Sequence, residues 1–268
     1  MRKILGRIRR GITGVRDTLF ERVPLLPAST GLLGMSLENR EIPYFRIGNG
    51  PRKILLVAAI HGNEVGTTKL ARHLITWLGD HRDEYKKCTF FVVPCLNPDG
   101  QAVALRHPDF HNFGRRGRLN AHGVDLNRNF PTRSFQKTSA WTHGKDYQEK
   151  TAVYCGERGR SEPEIKALTL FITQQHIDYY FGFHSAGRDV MGNDNSKAQK
   201  LADIFSKASG YTLGTLEEWN QLGQTGTAKE WCDEQGIAYV EIEAAVRWGS
   251  DWKNQREGIE ACLKALNA

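Results

Sequence analysis

Apolar and polar positions along this chain alternate between two periodicities. KILLVAAI (53–60) is apolar without alternation, the mark of a strand buried on both faces. Residues 65–85 carry Leu70, Leu74, Ile75 and Leu78 at helical spacing, which predicts an amphipathic helix. TFFVVPCL (89–96) predicts a second buried strand, closed by the turn-forming run Asn97-Pro98-Asp99-Gly100. Residues 101–160 are rich in Gly, Asn and Arg with little periodicity, and an irregular stretch that long is usually functional. A helix is expected to open at Ser161-Glu162-Pro163-Glu164, with Ser161 as N-cap, Pro163 in the first turn and Glu164 completing a capping box. YYFGFH (179–184) predicts a strand ending in His184, and IAYVEIEA (237–244) a strand carrying two glutamates. Helices are expected over 196–209 and 252–266, and more weakly over 226–235. The alternation predicts a single α/β domain, with a mixed, mostly parallel central sheet flanked by helices.

Composition narrows the class. The chain has 268 residues, 40% hydrophobic and 25% charged, enough for one sizeable core. No run approaches the roughly 18–20 apolar residues that a membrane helix needs. The first residues, MRKILGRIRRGITGVRDTLFERV, are basic and amphipathic, and Arg7, Arg9, Arg10 and Arg16 interrupt any export-signal core. Residues 1–34 are therefore expected to be a basic helical extension packed on a domain of residues 35–268. Membrane contact by residues 1–20 is the less favoured alternative. The five cysteines are odd in number and irregularly spaced, which argues against a disulfide framework and suits a reducing, cytoplasmic setting. The net charge of +7 favours anionic partners, yet no nucleic-acid motif accompanies it. An acidic small substrate is the better match.

Candidate chemistry sits at the strand ends. Open α/β sheets bind ligands at the carboxyl edge of the strands. The first strand runs into His61 and Glu64, another ends in His184, and the last carries Glu241 and Glu243. Two histidines and one carboxylate leave a tetrahedral metal one open position, the arrangement of a catalytic zinc. Glu241 and Glu243 lie two apart and share a strand face, so either could act as a base.

Five motifs then occur in order: HGNE (61–64), NPDG (97–100), GRLNAHGVDLNRNFP (117–131), SEPE (161–164) and FHSAG (183–187). Together they resemble the zinc metallocarboxypeptidase family over roughly residues 35–262. The resemblance implies one zinc ion per chain, held by His61, Glu64 and His184. It implies that Asn127 and Arg128 hold the free C-terminal carboxylate of a small peptide substrate, for which a guanidinium fork is suited. Asp125 is implied to orient a metal-ligating histidine. The arginine that stabilises the oxyanion is expected at Arg118, with Arg115 as second choice. Ser185 is implied to contact substrate. The general base is implied at Glu241, with Glu243 as the alternative; it would take a proton from the attacking water and deliver it to the leaving amine.

One departure bears on specificity. Digestive members place a mobile tyrosine ahead of the base, but EEWNQLGQTGTAKEW (217–231) contains none. The segment GTAKEWCDEQGI (226–237) is more similar to the compact bacterial members that cleave murein peptides in the cytoplasm, releasing meso-diaminopimelate from a γ-D-glutamyl bond. The expected function is thus a zinc-dependent carboxypeptidase or peptide amidase, with a murein tripeptide favoured. The alternatives are a deglutamylating carboxypeptidase, or an N-acyl amino acid hydrolase resembling succinylglutamate desuccinylase and aspartoacylase. A non-catalytic binding module is disfavoured because every ligand and the base glutamate are present.

Overall fold

The computed structural model describes residues 29–106, 116–143 and 149–268. Its strands in chain order are β1 (Ser29–Met35), β2 (Glu41–Gly48), β3 (Arg52–Ala58), β4 (Cys88–Val93), β5 (Thr138–His143), β6 (Glu149–Tyr154), β7 (Tyr179–Ser185), β8 (Asp189–Gly192), β9 (Thr212–Leu213) and β10 (Ala238–Ala244). Its helices are α1 (Val65–Asp80), α2 (Pro98–Arg106), α3 (Pro163–Gln175), α4 (Ser196–Ser209), α5 (Leu216–Gln221), α6 (Ala228–Gln235) and α7 (Trp252–Asn267). β3 forms where KILLV predicts it, and its alternate residues part to opposite faces. Ile54, Leu56 and Ala58 join one core cluster; Leu55 and Val57 join the other.

Eight strands form one sheet in the order β1-β2-β4-β3-β7-β10-β8-β9. The central four, β4, β3, β7 and β10, run parallel, so their carboxyl ends share one edge. β2 joins β4 antiparallel on one side, and β8 joins β10 antiparallel on the other. Helices α1, α4 and α7 cover one face through Leu70, Leu74, Phe205, Ile259 and Leu263. Helices α3 and α6 cover the other through Leu168, Phe171, Ile172 and Trp231. β5 and β6 form a separate antiparallel pair. Among the described residues, no helix is long and apolar enough to cross a membrane.

Several expectations need correction. The helix expected over 65–85 stops at Asp80, and a short 3₁₀ turn over Arg82–Glu84 follows. NPDG does not leave the chain irregular: the Asn97 side chain accepts the Gly100 N–H at 2.8 Å, and α2 opens there. The stretch 101–160 therefore contains most of α2 as well as β5 and β6. Ser161 is not the N-cap of α3; Glu162 holds that place without a side-chain capping bond, because its carboxylate is drawn to Asn120. Glu164 completes no capping box with Ser161; its carboxylate accepts from Asn120 and from the Leu37 N–H, each at 3.4 Å. The boundary at residue 34 falls inside β1, an edge strand of the sheet, and the helix expected before it lies largely outside the described residues. β1 escapes the pattern because it is an edge strand that buries little, and β2 because Pro43 interrupts it, opposite Leu32 where the β1–β2 register shifts.

The β1–β2 turn is held by Asp99 in the first turn of α2. Ser36 Oγ donates to it at 2.7 Å, the Glu38 N–H at 3.0 Å, and Arg40 adds its guanidinium. Asp99 is buried, so removing it strands the Ser36 hydroxyl. Asp99→Ala is expected to lower stability by about 3 kcal/mol in urea denaturation; a change below about 0.5 kcal/mol would contradict this role.

Candidate functional site

β3 ends at Ala58, and the chain bends through His61 to open α1 at Val65. Thr67 ties this bend together: its hydroxyl accepts from the Ala59 N–H at 3.0 Å and donates to the Glu64 carbonyl at 2.7 Å. His61 and Glu64 are thereby delivered to the carboxyl edge, where His184 arrives at the end of the neighbouring β7. His61 Nδ1 lies 3.0 Å from Glu64 Oε1 and 3.3 Å from His184 Nδ1. His184 Nδ1 lies 3.3 Å from Glu64 Oε2.

All three side chains are buried, and their donor atoms lie within 4.8 Å of one another. Glu64 Oε2 makes no hydrogen bond among the described residues. Two imidazole nitrogens and a carboxylate aimed at one point fit a single zinc ion with an open fourth position. Burial works to raise the Glu64 carboxyl, but His61 and His184 outweigh it and hold it well below the usual carboxylate range. Burial works to lower His184, but Glu241 and Glu64 outweigh it and raise the imidazole to about 9.

The DLNRN segment supplies the next layer. Asp125 is fully buried. Its Oδ1 lies 3.2 Å from His61 Nε2 and accepts the Asn127 N–H at 3.0 Å. Its Oδ2 accepts from Arg118 Nε at 3.0 Å and lies 2.9 Å from Nη2. Burial opposes ionisation of Asp125, yet Arg118 and His61 hold its carboxyl well below the ordinary range. Arg118 also stacks over the Trp141 ring at 4.7 Å. Asn127 accepts the Ala228 N–H at 3.0 Å. Arg128 donates from Nη1 to the Asn127 carbonyl at 2.7 Å and from Nε to the Ala140 carbonyl at 3.0 Å. Arg115 lies outside the described residues.

Glu241, on β10, lies 3.7 Å from His184 Nε2 through its Oε2. Glu243 shares its face, and burial pushes its carboxyl well above the usual range. Ser185 is buried, and its hydroxyl has no hydrogen-bond partner among the described residues. His61, Glu64, Arg118, Asn127, Arg128, His184, Ser185, Glu241 and Glu243 all line one cavity of about 650 Å³, a volume suited to a small ligand. Trp141 and Lys150 from the β5–β6 pair, Met191 from β8 and Trp219 from α5 complete its walls.

Sequence reasoning missed the support under Arg118. Asn120 Oδ1 accepts the N–H groups of His122 and Val124 at 3.1 and 3.0 Å, closing the loop between Arg118 and Asp125. Its amide donates to Glu162 at 2.7 Å and to Glu164 at 3.4 Å. The signal was the pair of carboxylates in SEPE, which resembles a helix cap. Burial pushes the Glu164 carboxyl up from 4.5 to about 7.

A parallel-sheet edge that gathers a buried His-Glu-His set beside two arginines defines an α/β protein with a side-chain group that could hold one metal ion. The chain belongs to the zinc carboxypeptidase family, whose model matches residues 27–260. It is 26% identical over 216 residues to Gamma-D-glutamyl-L-diamino acid endopeptidase 1 of Lysinibacillus sphaericus, covering 67% of this chain and 52% of that enzyme. It is 26% identical to carboxypeptidase B2 of Rattus norvegicus, covering 72% of this chain and 46% of that protein. The chain thus spans about half the length of these two relatives. It is also 26% identical to murein peptide amidase A of Escherichia coli K12, covering 81% of each. Among solved structures, the murein-tripeptide amidase of Escherichia coli O157 superposes with a TM-score of 0.66 at 22% identity, over 92% of this chain and 95% of that one. Thrombin activatable fibrinolysis inhibitor superposes with a TM-score of 0.68 at 20% identity, over 94% and 70%. These two superpositions establish the fold.

Two outcomes are expected. Asp125→Asn should weaken zinc binding about 10- to 100-fold in a chelator competition, since it loosens the His61 ring; unchanged affinity would count against the link. Glu164 binds its proton more tightly folded than unfolded. Its contribution to stability is therefore full below 4.5 and lost as pH rises through about 7. Glu164→Gln should remove that decline, gaining on the wild type between pH 5 and 8 in urea midpoints. Parallel pH profiles for the two proteins would refute the assignment.

Proposed function

We propose that this chain hydrolyses the amide bond before the C-terminal residue of a small peptide, with a murein peptide as the favoured substrate. The observation that carries the reading is the convergence of the three ligand side chains, Glu241, Arg118 and Arg128 on one cavity. Zinc held by His61, Glu64 and His184 supplies Lewis acidity toward a carbonyl oxygen and toward water. Arg128 and Asn127 receive the terminal carboxylate and set the register of the scissile bond. Arg118, braced by Asp125 and Trp141, donates to the oxyanion. Glu241 takes a proton from the attacking water and returns it to the leaving amine. The Ser185 hydroxyl is free to meet the substrate main chain.

The murein preference is supported by the 81% mutual coverage with murein peptide amidase A. The named action of the Lysinibacillus sphaericus relative on a γ-D-glutamyl-diamino acid bond points the same way. All five cysteines are free, which fits the proposed cytoplasmic site of action.

The zinc-loaded protein is to be offered L-Ala-γ-D-Glu-meso-diaminopimelate, a peptide ending in Glu, a peptide ending in Lys, and N-succinylglutamate, with products read by mass spectrometry. Release of diaminopimelate is expected. Glu241→Gln should lower kcat by about 10²–10⁴ with zinc still bound. Release of Glu or Lys alone would discard the murein substrate. Cleavage of succinylglutamate alone would move the chain to small-molecule hydrolysis. No product at one zinc per chain would overturn the peptidase reading.

A further inference from the structure

Strand β7 reads YYFGFHS, with one glycine among aromatic residues before His184. An interior glycine weakens a strand and marks a place where another group approaches closely. Gly182 is the register partner of Glu241 across the β7–β10 pairing. A Cβ at Gly182 would lie 2.4 Å from the Tyr239 hydroxyl and 3.0 Å from its ring. Tyr239 precedes Glu241 by two residues and shares its face of β10. Its hydroxyl donates to Glu241 Oε2 at 2.9 Å.

The Tyr239 ring is fully buried, edge-on to Tyr180 at 4.9 Å and tilted against Trp219 at 6.3 Å. A buried phenol requires a hydrogen-bond partner. Here that partner is the carboxylate facing the cavity. Burial and the adjacent Glu241 carboxylate push the phenol well above its ordinary range, so it remains a donor at neutral pH. Glu241 itself keeps 12% of its side chain exposed and has three rotatable bonds, so packing alone does not fix its carboxylate.

We propose that Tyr239 is the positioning residue for Glu241: in the space left by Gly182, its hydroxyl holds Oε2 and turns Oε1 toward the attacking water. This rests on the reading of Glu241 as the base. The Gly182–Tyr239 pair is then one device, the glycine serving only to admit the phenol.

The test uses the zinc-loaded full chain with Tyr239→Phe, Gly182→Ala and the double variant. Tyr239→Phe is expected to lower kcat about tenfold, the loss of one hydrogen bond to a charged group, with KM and zinc stoichiometry unchanged. Gly182→Ala should lower kcat too, and add nothing in the Tyr239→Phe background. Wild-type kcat in Tyr239→Phe overturns the proposal while leaving the peptidase reading intact. Should the wild type cleave nothing, that reading falls, and crystal structures of wild type and Tyr239→Phe decide the positioning claim. A Glu241 carboxylate displaced in the variant upholds it; an unmoved one overturns it. Tyr239→Phe removes a single oxygen, so this arm stands even where Gly182→Ala fails to fold.

Discussion

The buried carboxylate of Asp125 is the interaction on which the site depends. One oxygen meets His61 and caps the turn that presents Asn127 and Arg128; the other meets Arg118. A single charge thus couples a histidine proposed as a metal ligand, the arginine proposed for the oxyanion and the pair proposed for the substrate carboxylate. A carboxylate so deep in the protein is tolerated only because every lone-pair direction meets a donor, and loss of any partner would leave an uncompensated charge. Asn120, Glu162 and Glu164 keep the loop between Arg118 and Asp125 closed, so the carboxylate meets its partners in one geometry.

The sheet supplies the complementary constraint. β3, β7 and β10 are parallel neighbours, so His184 and Glu241 reach one edge by strand direction, and the bend that Thr67 ties after β3 brings His61 there. Register sets the finer placement. Glu243 pairs with His184 and Glu241 with Gly182, which sets Glu241 one side-chain step back along the strand. From there its carboxylate reaches the His184 ring at 3.7 Å without entering the ligand set.

Much of this was legible in the sequence because buried parallel strands and their terminal ligands are local signals. KILLV, FFVV, YYFGFH and AYVEIE each announced a central strand, and HGNE and FHS marked the side chains that converge at the edge of the sheet. β1 was illegible because it is an edge strand that buries little, and β2 because Pro43 and Arg46 interrupt its apolar run although it feeds both faces of the core. The role of SEPE was illegible for another reason. Its carboxylates act on Asn120, more than 40 residues earlier, and long-range pairing leaves no periodic trace. Tyr239 was hidden in the apolar run Ile237-Ala238-Tyr239-Val240, where an aromatic ring reads as core.

The most direct test of the account is a zinc-edge anomalous diffraction map of the metal-loaded protein. The account expects one peak per chain, about 2.0–2.2 Å from Nδ1 of His61, Nδ1 of His184 and a Glu64 carboxylate oxygen. It also expects His61 Nε2 still to face Asp125. A peak elsewhere, ligation through His61 Nε2, or no peak at full zinc loading would contradict the account.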